Sequence, residues 1–126
     1  MIRKSVHTID EVRAAVIDKM FSKAKREPVE FCGDMIKANS LRYQVFFTKG
    51  MTCPICGVQG SFFAKEKHEN DKSYHLNLYA VTEDGKEILM TKDHIYPHSK
   101  GGSDNLENLQ PMCIVCNMLK GNKIAG

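Results

Sequence analysis

Residues 93–120 read DHIYPHSKGGSDNLENLQPMCIVCNMLK. This stretch begins with a carboxylate and an imidazole, continues with asparagine side chains, and ends with two closely spaced cysteines. Proteins use these side chain types to bind metal ions. An inert surface segment has no reason to concentrate them, so we expect residues 93–120 to decide both the fold and the function.

The stretch starts with the adjacent residues Asp93 and His94. Adjacent side chains point to opposite faces of a regular strand, whereas a bulge or a strand end brings both toward one cavity. The alternative is a pair that makes only local hydrogen bonds at a strand end. The surrounding pattern favours the shared cavity.

Two C-x2-C pairs supply four thiols: Cys53 with Cys56, and Cys113 with Cys116. Four thiolates form the usual ligand set of a tetrahedral structural zinc, which leaves no position for substrate. Four unligated thiols or two disulfides are the alternative. Such an ion would close a long loop and stabilise a small domain. Cys32 is left over.

Asn117 directly follows the last thiol of these pairs. We expect a helix to start here, to run through Lys120 and to end at Gly121, which suits the position after a helix. A zinc ion held by Cys116 would therefore determine where Asn117 points.

Together these residues resemble the HNH endonucleases with a zinc-stabilised ββα-metal fold, in particular small phage-borne members. The motif covers residues 93–121, residues 53–57 extend it, and residues 42–47 and 62–66 fit more loosely. The resemblance is carried by the series Asp93-His94-Ile95, Gly101-Gly102-Ser103, Asn108-Leu109-Gln110 and Cys113-x2-Cys116-Asn117-x2-Lys120-Gly121.

The resemblance implies a role for each residue of the motif. His94 would be the general base, Asp93 and Asn117 would hold one catalytic divalent ion, and Asn108 would brace the loop and hold His94 in orientation. Asn117 stands where the family name has its second histidine. Because an amide oxygen is a harder ligand than imidazole, the site would favour Mg²⁺ or Mn²⁺ over Zn²⁺ or Ni²⁺.

Five further residues are candidate nucleic-acid contacts. His98 either touches the phosphate or metal or is an ordinary loop histidine, and Lys100 lies in the same loop. Lys120 and Lys123 either meet phosphates or offset the partial charge at the end of the helix. Arg42 either neutralises a phosphate or is an ordinary surface arginine.

The resemblance therefore implies a metal-dependent endonuclease that nicks or cuts duplex DNA, with structural Zn²⁺ and catalytic Mg²⁺ or Mn²⁺. A nuclease specific for branched DNA is a variant of this hypothesis. A catalytically silent zinc module that binds nucleic acid or a partner protein is the alternative from another class. The expected partner is DNA, and the chain would act as a monomer or homodimer.

The expected fold class is α+β: a ββα-metal core with a four-cysteine zinc site, an added β-hairpin and an N-terminal helical segment. Residues 1–50 would form a helical, basic extension and residues 51–126 the zinc-bound nuclease domain, the two making one compact unit. The net charge is only +3, but residues 1–50 contain ten Lys and Arg against six Asp and Glu. We therefore expect residues 1–50, the basic N-terminal part of the chain, to attract phosphate groups.

Outside the motif the elements are less distinct. A capping box, Thr8 to Glu11, predicts a helix over residues 9–26, and residues 30–39 are compatible with a short second helix. Aromatic and β-branched residues predict a strand over residues 41–48. Residues 65–72 are expected to be a polar loop, and alternation over residues 74–90 predicts a hairpin that turns at residues 83–86.

The sequence contains no run of about 18 apolar residues and no apolar segment after Met1-Ile2-Arg3-Lys4. Cysteines arranged as metal-ligand pairs indicate a reducing compartment. We therefore expect no membrane association and a soluble, cytoplasmic protein, with a phage-infected bacterial cell as the suspected setting.

Overall fold

The computed structural model describes residues 1–121 and 123. Its fold is α+β, as predicted, with a ββα core at the C-terminal end. The elements, in chain order, are β1 (Ile2–His7), α1 (Ile9–Val16), β2 (Pro28–Phe31), β3 (Asp34–Lys37), α2 (Leu41–Lys49), β4 (Gly60–Lys67), β5 (His75–Val81), β6 (Glu87–His94), β7 (Leu109–Cys113) and α3 (Ile114–Lys120).

Five strands form one antiparallel sheet in the order β1-β4-β5-β6-β7, and β2 pairs with β3 in a separate hairpin. The predicted hairpin is confirmed as β5 and β6, which pair from Tyr79↔Leu89 to Val81↔Glu87. Beyond that point β6 pairs with β7 from Met90↔Cys113 to His94↔Leu109. β6 therefore links the added hairpin to the ββα core.

One hydrophobic core joins the N-terminal and C-terminal parts of the chain. It contains Val12 and Val16 of α1, Phe46 of α2 and Phe63 of β4, together with Met112 of β7. β1 extends the same sheet by pairing with β4. The boundary near residue 50 stays a prediction, and the shared core favours one compact unit.

The strand expected over residues 41–48 is wrong, because this segment forms α2. Tyr43, Phe46 and Phe47 follow the i, i+3, i+4 spacing of one helix face, and their ring centroids lie 6.4, 6.5 and 5.9 Å from that of Phe63. Aromatic residues favour strands on average, but packing against a common partner overrides that preference.

The helix expected over residues 9–26 is too long. The capping box is present, with the Glu11 amide 3.1 Å from Thr8 Oγ1, but α1 ends at Val16 and turns follow. Asn39 accounts for the later part of the difference, residues 22–27, since its amide nitrogen donates to the carbonyls of Ser22 and Ala24 while its oxygen accepts from the Glu27 amide. A distant side chain thus replaces helical hydrogen bonds.

Two further expectations fail in the middle of the chain. Residues 30–37 belong to the β2–β3 hairpin instead of a short helix. Residues 65–67 belong to β4 instead of a loop, and Lys65 is only 1% exposed. Its ammonium group lies 2.7 Å from an Asp34 carboxylate oxygen and 2.7 Å from the Cys32 carbonyl, so a buried cation is compensated by the β2–β3 turn.

Within residues 1–121 and 123, none of the helices has the length and apolar character needed to cross a membrane.

Candidate metal centre and active-site cavity

Four cysteines meet where the loop before β4, the end of β7 and the start of α3 come together. The sulfur atoms of Cys53, Cys56, Cys113 and Cys116 all lie within 4.8 Å of one another, and the Cys56 and Cys113 sulfurs are 3.7 Å apart. Sulfurs around a tetrahedral zinc at 2.3 Å are ~3.8 Å apart. The prediction that these four cysteines come together is confirmed, and their sulfurs are positioned to bind one metal ion.

The thiols influence one another electrostatically. Burial raises the pKa of Cys53, but backbone amides, first that of Cys56, donate to its sulfur and lower the pKa overall to about 6. Burial and the neighbouring thiols raise the pKa of Cys116 to about 12. Four close thiols can all ionise only beside a cation, which is the behaviour of a structural metal site.

The cysteine cluster also determines where α3 begins. Cys113 is the N-cap residue, and its sulfur accepts a hydrogen bond from the Cys116 amide at 3.4 Å. Asn117 follows one position later in the helix. The cluster therefore sets the rotation of α3 and with it the direction of Asn117.

Several motif residues surround an open cavity of about 260 Å³ at the other end of α3. Asp93, His94, His98, Asn117 and Lys120 all line it. The structure thus brings together the residues predicted to bind metal and to act as base. The described residues Lys100 and Lys123 are exposed and lie outside this lining, and Arg42 lines a neighbouring cleft.

Asp93 is nearly buried, with only 5% of the residue exposed. Its carboxylate accepts a hydrogen bond from Gln110 Nε2 at 3.0 Å and lies 3.1 Å from Lys120 Nζ. Lys120 also donates to the His94 carbonyl at 2.9 Å. The ammonium group therefore compensates the charge of the carboxylate from within the cavity.

Asn117 is held through its amide nitrogen. This nitrogen donates to Thr91 Oγ1 at 2.8 Å, and the Thr91 hydroxyl donates to the Met112 carbonyl at 2.8 Å. The bond to Thr91 does not use the amide oxygen. Asp93 and Asn117 together offer oxygen donors, the ligand type that Mg²⁺ and Mn²⁺ prefer. These two side chains fit such an ion as ligands when the ammonium group of Lys120 moves partly away from the Asp93 carboxylate.

His94 is oriented by Asp104, with His94 Nε2 and Asp104 Oδ1 2.7 Å apart. Because a carboxylate only accepts, Nε2 carries the proton of this hydrogen bond, and in the neutral ring Nδ1 is then the basic nitrogen. The bond from His94 lowers the pKa of Asp104. The rings of His94 and His98 are 5.6 Å apart, edge to face.

Asn108 stabilises the loop between β6 and β7 through hydrogen bonds to other residues of that loop. Its side chain oxygen accepts from the Tyr96 amide at 2.9 Å, and its nitrogen donates to the carbonyls of Tyr96 and Ser103 at 3.1 and 2.7 Å. Gly102 packs so closely that a Cβ atom there would lie 1.9 Å from the Tyr96 carbonyl oxygen. Gly101 has a φ of 92°, the positive value expected for a tight loop.

Four hydrogen bonds or ion pairs of this site were not predicted from the sequence. Gln110 and Lys120 each contact Asp93, Thr91 contacts Asn117, and Asp104 contacts His94. Gln110 belongs to the motif, so its proximity to Asp93 follows once β6 and β7 are paired in register. Asp104 lies in an irregular loop, and sequence periodicity does not predict the path of such a loop. Lys120 was expected either to meet phosphate or to offset the partial charge at the end of the helix, and its partner is a carboxylate.

The two strands β6 and β7, joined by a loop, are followed by α3. The cysteine cluster lies at one end of α3, and an acid, an imidazole and an amide lie at the other. This is the arrangement of a ββα-metal domain. Residues 83–123 match the model of the HNH endonuclease family, so this part of the chain is similar to an HNH domain. No curated protein matches the chain significantly, and neither does any solved structure.

Proposed function

We propose that the chain is a metal-dependent HNH endonuclease that hydrolyses phosphodiester bonds in DNA. The observation that carries this proposal is the cavity in which Asp93, His94 and Asn117 lie together, with His94 held through Nε2. The family match over residues 83–123 supports the nuclease class. The four-cysteine cluster would hold Zn²⁺ as a structural ion.

His94 acts as the general base in this proposal. Imidazole is the side chain that most readily exchanges a proton close to neutral pH. With Nε2 committed to Asp104, the proton of the attacking water goes to Nδ1. Asp104 then faces an imidazolium ion and stabilises the charge that His94 has gained.

Asp93 and Asn117 would hold one Mg²⁺ or Mn²⁺ ion through their oxygens. Such an ion, when bound, offsets charge on the phosphoryl oxygens and assists departure of the 3′ oxygen. Lys120 would loosen its contact with Asp93, and its ammonium group would become available to the phosphate. Asn108 acts indirectly, by holding the loop that carries Asp104 in reach of His94.

A second candidate function is a zinc-stabilised DNA-binding module without cleavage activity. The Lys120–Asp93 contact favours it, because an ammonium group at 3.1 Å already supplies the positive charge that the carboxylate needs. In such a module Asp93 would be a structural residue.

Plasmid cleavage separates the two functions. Supercoiled DNA is incubated with wild-type protein and Mg²⁺ or Mn²⁺, beside His94→Ala and the control His68→Ala, an exposed histidine outside the cavity lining. Loss of a general base lowers the rate by about 10²- to 10⁴-fold. We expect that loss for His94→Ala alone. DNA binding without cleavage by the wild type would establish the second function, and equal cleavage by His94→Ala would remove His94 as the base.

The arrangement of the whole protein is part of the same proposal. We propose that residues 1–50 act as a basic extension of the nuclease domain in residues 51–126, and that the chain works as a monomer or homodimer. The free thiols of the described residues suit a reducing compartment such as a cytoplasm.

A further inference from the structure

A second cavity, of about 210 Å³, lies outside the segment that matches the HNH family. Three cations contribute to its lining, Arg26, Lys37 and Arg42, and His75 lies beside them. Ser40, Ser73, Tyr43 and Tyr74 also line it, together with the apolar residues Pro28, Met35 and Ile36. No carboxylate of the described residues lines this cavity. Its chemistry is that of an anion site.

These cations are not compensated by acids. Among residues 1–121 and 123, Arg26, Lys37 and Arg42 form no ion pair. Arg42 donates to Asn77 Oδ1 at 2.6 Å, a neutral partner that holds the guanidinium group without cancelling its charge. Burial and then the charge of Arg42 lower the pKa of His75, while the charge of Asp71 acts in the opposite direction.

A cleft shares lining residues with this cavity and with the candidate active-site cavity around Asp93, His94 and Asn117, which we call the HNH cavity. β5 begins at His75, but its pairing with β6 starts only at Tyr79↔Leu89, so the two strands separate on the side of the active site. The opening is a cleft of about 220 Å³ lined by Arg42, Asn77, Thr91 and Lys92, among others.

The cleft shares a residue with each of its neighbours. Arg42 also lines the first cavity, and Lys92 also lines the HNH cavity next to Asp93 and His94. Arg26, Lys37, Arg42 and Lys92 therefore line three cavities that adjoin one another through shared residues, the last of which is the candidate active site. We name these four residues the basic track.

We propose that the basic track binds the sugar-phosphate backbone of the DNA strand that enters the HNH cavity, with one phosphate in the cavity beside Arg26 and Lys37. This inference rests on the proposed function, because it identifies the substrate as a polymer that reaches well beyond the cut bond. A series of separated cations suits repeated phosphates, whereas a single small anion would use only one end of it. The track would give the N-terminal third of the chain a role in substrate binding.

Binding is tested separately from cleavage. The zinc-loaded full chain is titrated into a fluorescein-labelled DNA duplex without added divalent ions, and anisotropy is read at several salt concentrations. Arg26→Gln/Lys37→Gln removes two charges from the track. Lys49→Gln/Lys86→Gln removes two charges from exposed residues that line none of the three cavities described above. Thermal melts establish that both variants fold.

We expect the track variant to bind about tenfold more weakly near 0.1 M salt. The slope of log K against log salt should become shallower by about two, since each lost phosphate contact removes ~0.9. The control pair should change the affinity less than about twofold. Lys92→Gln should weaken binding as well, because it lies where the cleft meets the HNH cavity.

Equal losses in both charge pairs would mean a general effect of net charge and would overturn the proposal. Unchanged binding by the track variant, or a wild type that does not bind DNA, would also overturn it. A wild type that binds through the track but never cuts would leave the proposal intact and remove the proposed nuclease function. If the wild type cuts DNA by means of His94 while the track variant binds DNA like the control pair, the nuclease function stands and the proposal about the basic track is overturned.

Discussion

The two ends of α3 hold two sites of opposite character. At its start four thiols surround a point in space, and Cys53, Cys113 and Cys116 are buried. At its end Asp93, Asn117 and Lys120 face an open cavity whose other wall is an irregular loop. The first site uses only protein ligands, whereas the second has room for ligands from solution.

This difference separates stability from chemistry along one short helix. A closed site contributes its binding free energy to folding, and an open site keeps positions for water and phosphate. Substitutions at the two ends should therefore have different consequences. Those at the thiols should act on the free energy of unfolding, and those at the cavity should act on binding and cleavage.

Cys116→Ser should produce the largest effect. Loss of one thiolate removes a zinc ligand beside the core, and the cost should be on the order of 5 kcal/mol or more, enough to unfold a small domain. Circular dichroism melts and zinc content measure it. Cys32→Ser is the matched control, because Cys32 is exposed and outside the cluster. Equal melting temperatures for both variants would contradict a structural metal.

Lys120→Met should have the next largest effect, and a divalent ion should partly reverse it. The side chains of Lys120 and Asp93 are only 8% and 6% exposed, so removing the ammonium leaves a buried carboxylate without its counter-charge, at a cost of ~3 kcal/mol. Millimolar Mn²⁺ should therefore raise the melting temperature of the variant more than that of the wild type.

Isothermal titration should show tighter Mn²⁺ binding to Lys120→Met than to the wild type, because the competing cation is gone. Lys123→Met is the control, since this lysine is exposed and does not line the cavity. If Mn²⁺ stabilises all three proteins equally, Asp93 does not bind the ion.

Gly102→Ala should act mainly on cleavage. A Cβ atom at this position meets the backbone of Tyr96, so the loop must move, and a displacement of ~1 Å at a catalytic site costs up to about a hundredfold in rate. Gly101→Ala has open space around its Cβ and should cost only ~1 kcal/mol through its positive φ. Cleavage by Gly102→Ala at the wild-type rate would show that this loop does not position the catalytic residues.

Sequence patterns predicted the C-terminal core well because its elements are defined by local chemistry. The hairpin, the thiol pairs and the helix that ends before Gly121 each follow from spacing within a few residues, although α3 begins at Ile114, three residues before the expected start at Asn117. The N-terminal third depends on distant partners instead: Asn39 binds the backbone of residues 22–27, where a helix was expected, and the aromatic face of α2 packs on Phe63.

The candidate site shows the same division. The residues that line the cavity were found because the motif contains them, whereas their partners depend on pairing and loop geometry. The contact of Lys120 with Asp93 requires α3 to lie against β6 at one rotation. The cleft beside Arg42 exists only because β5 and β6 separate, and residue spacing does not indicate where two strands stop pairing.

Asp104→Asn should have the smallest effect and the most specific one. The amide keeps the shape of the side chain and can still accept from His94 Nε2, but it no longer offsets the positive charge of imidazolium. We expect kcat to fall about tenfold with little change in stability, since the Asp104 side chain is 60% exposed.

The control variant Glu107→Gln also removes one negative charge, at another exposed position of the loop between β6 and β7. Loss of a negative charge near DNA should strengthen binding in both variants, so neither KM should rise. Only Asp104→Asn should lower kcat, because only Asp104 contacts the proposed base. If kcat falls equally in both variants, the effect belongs to the charge of the loop, and the hydrogen bond to His94 does not position the base.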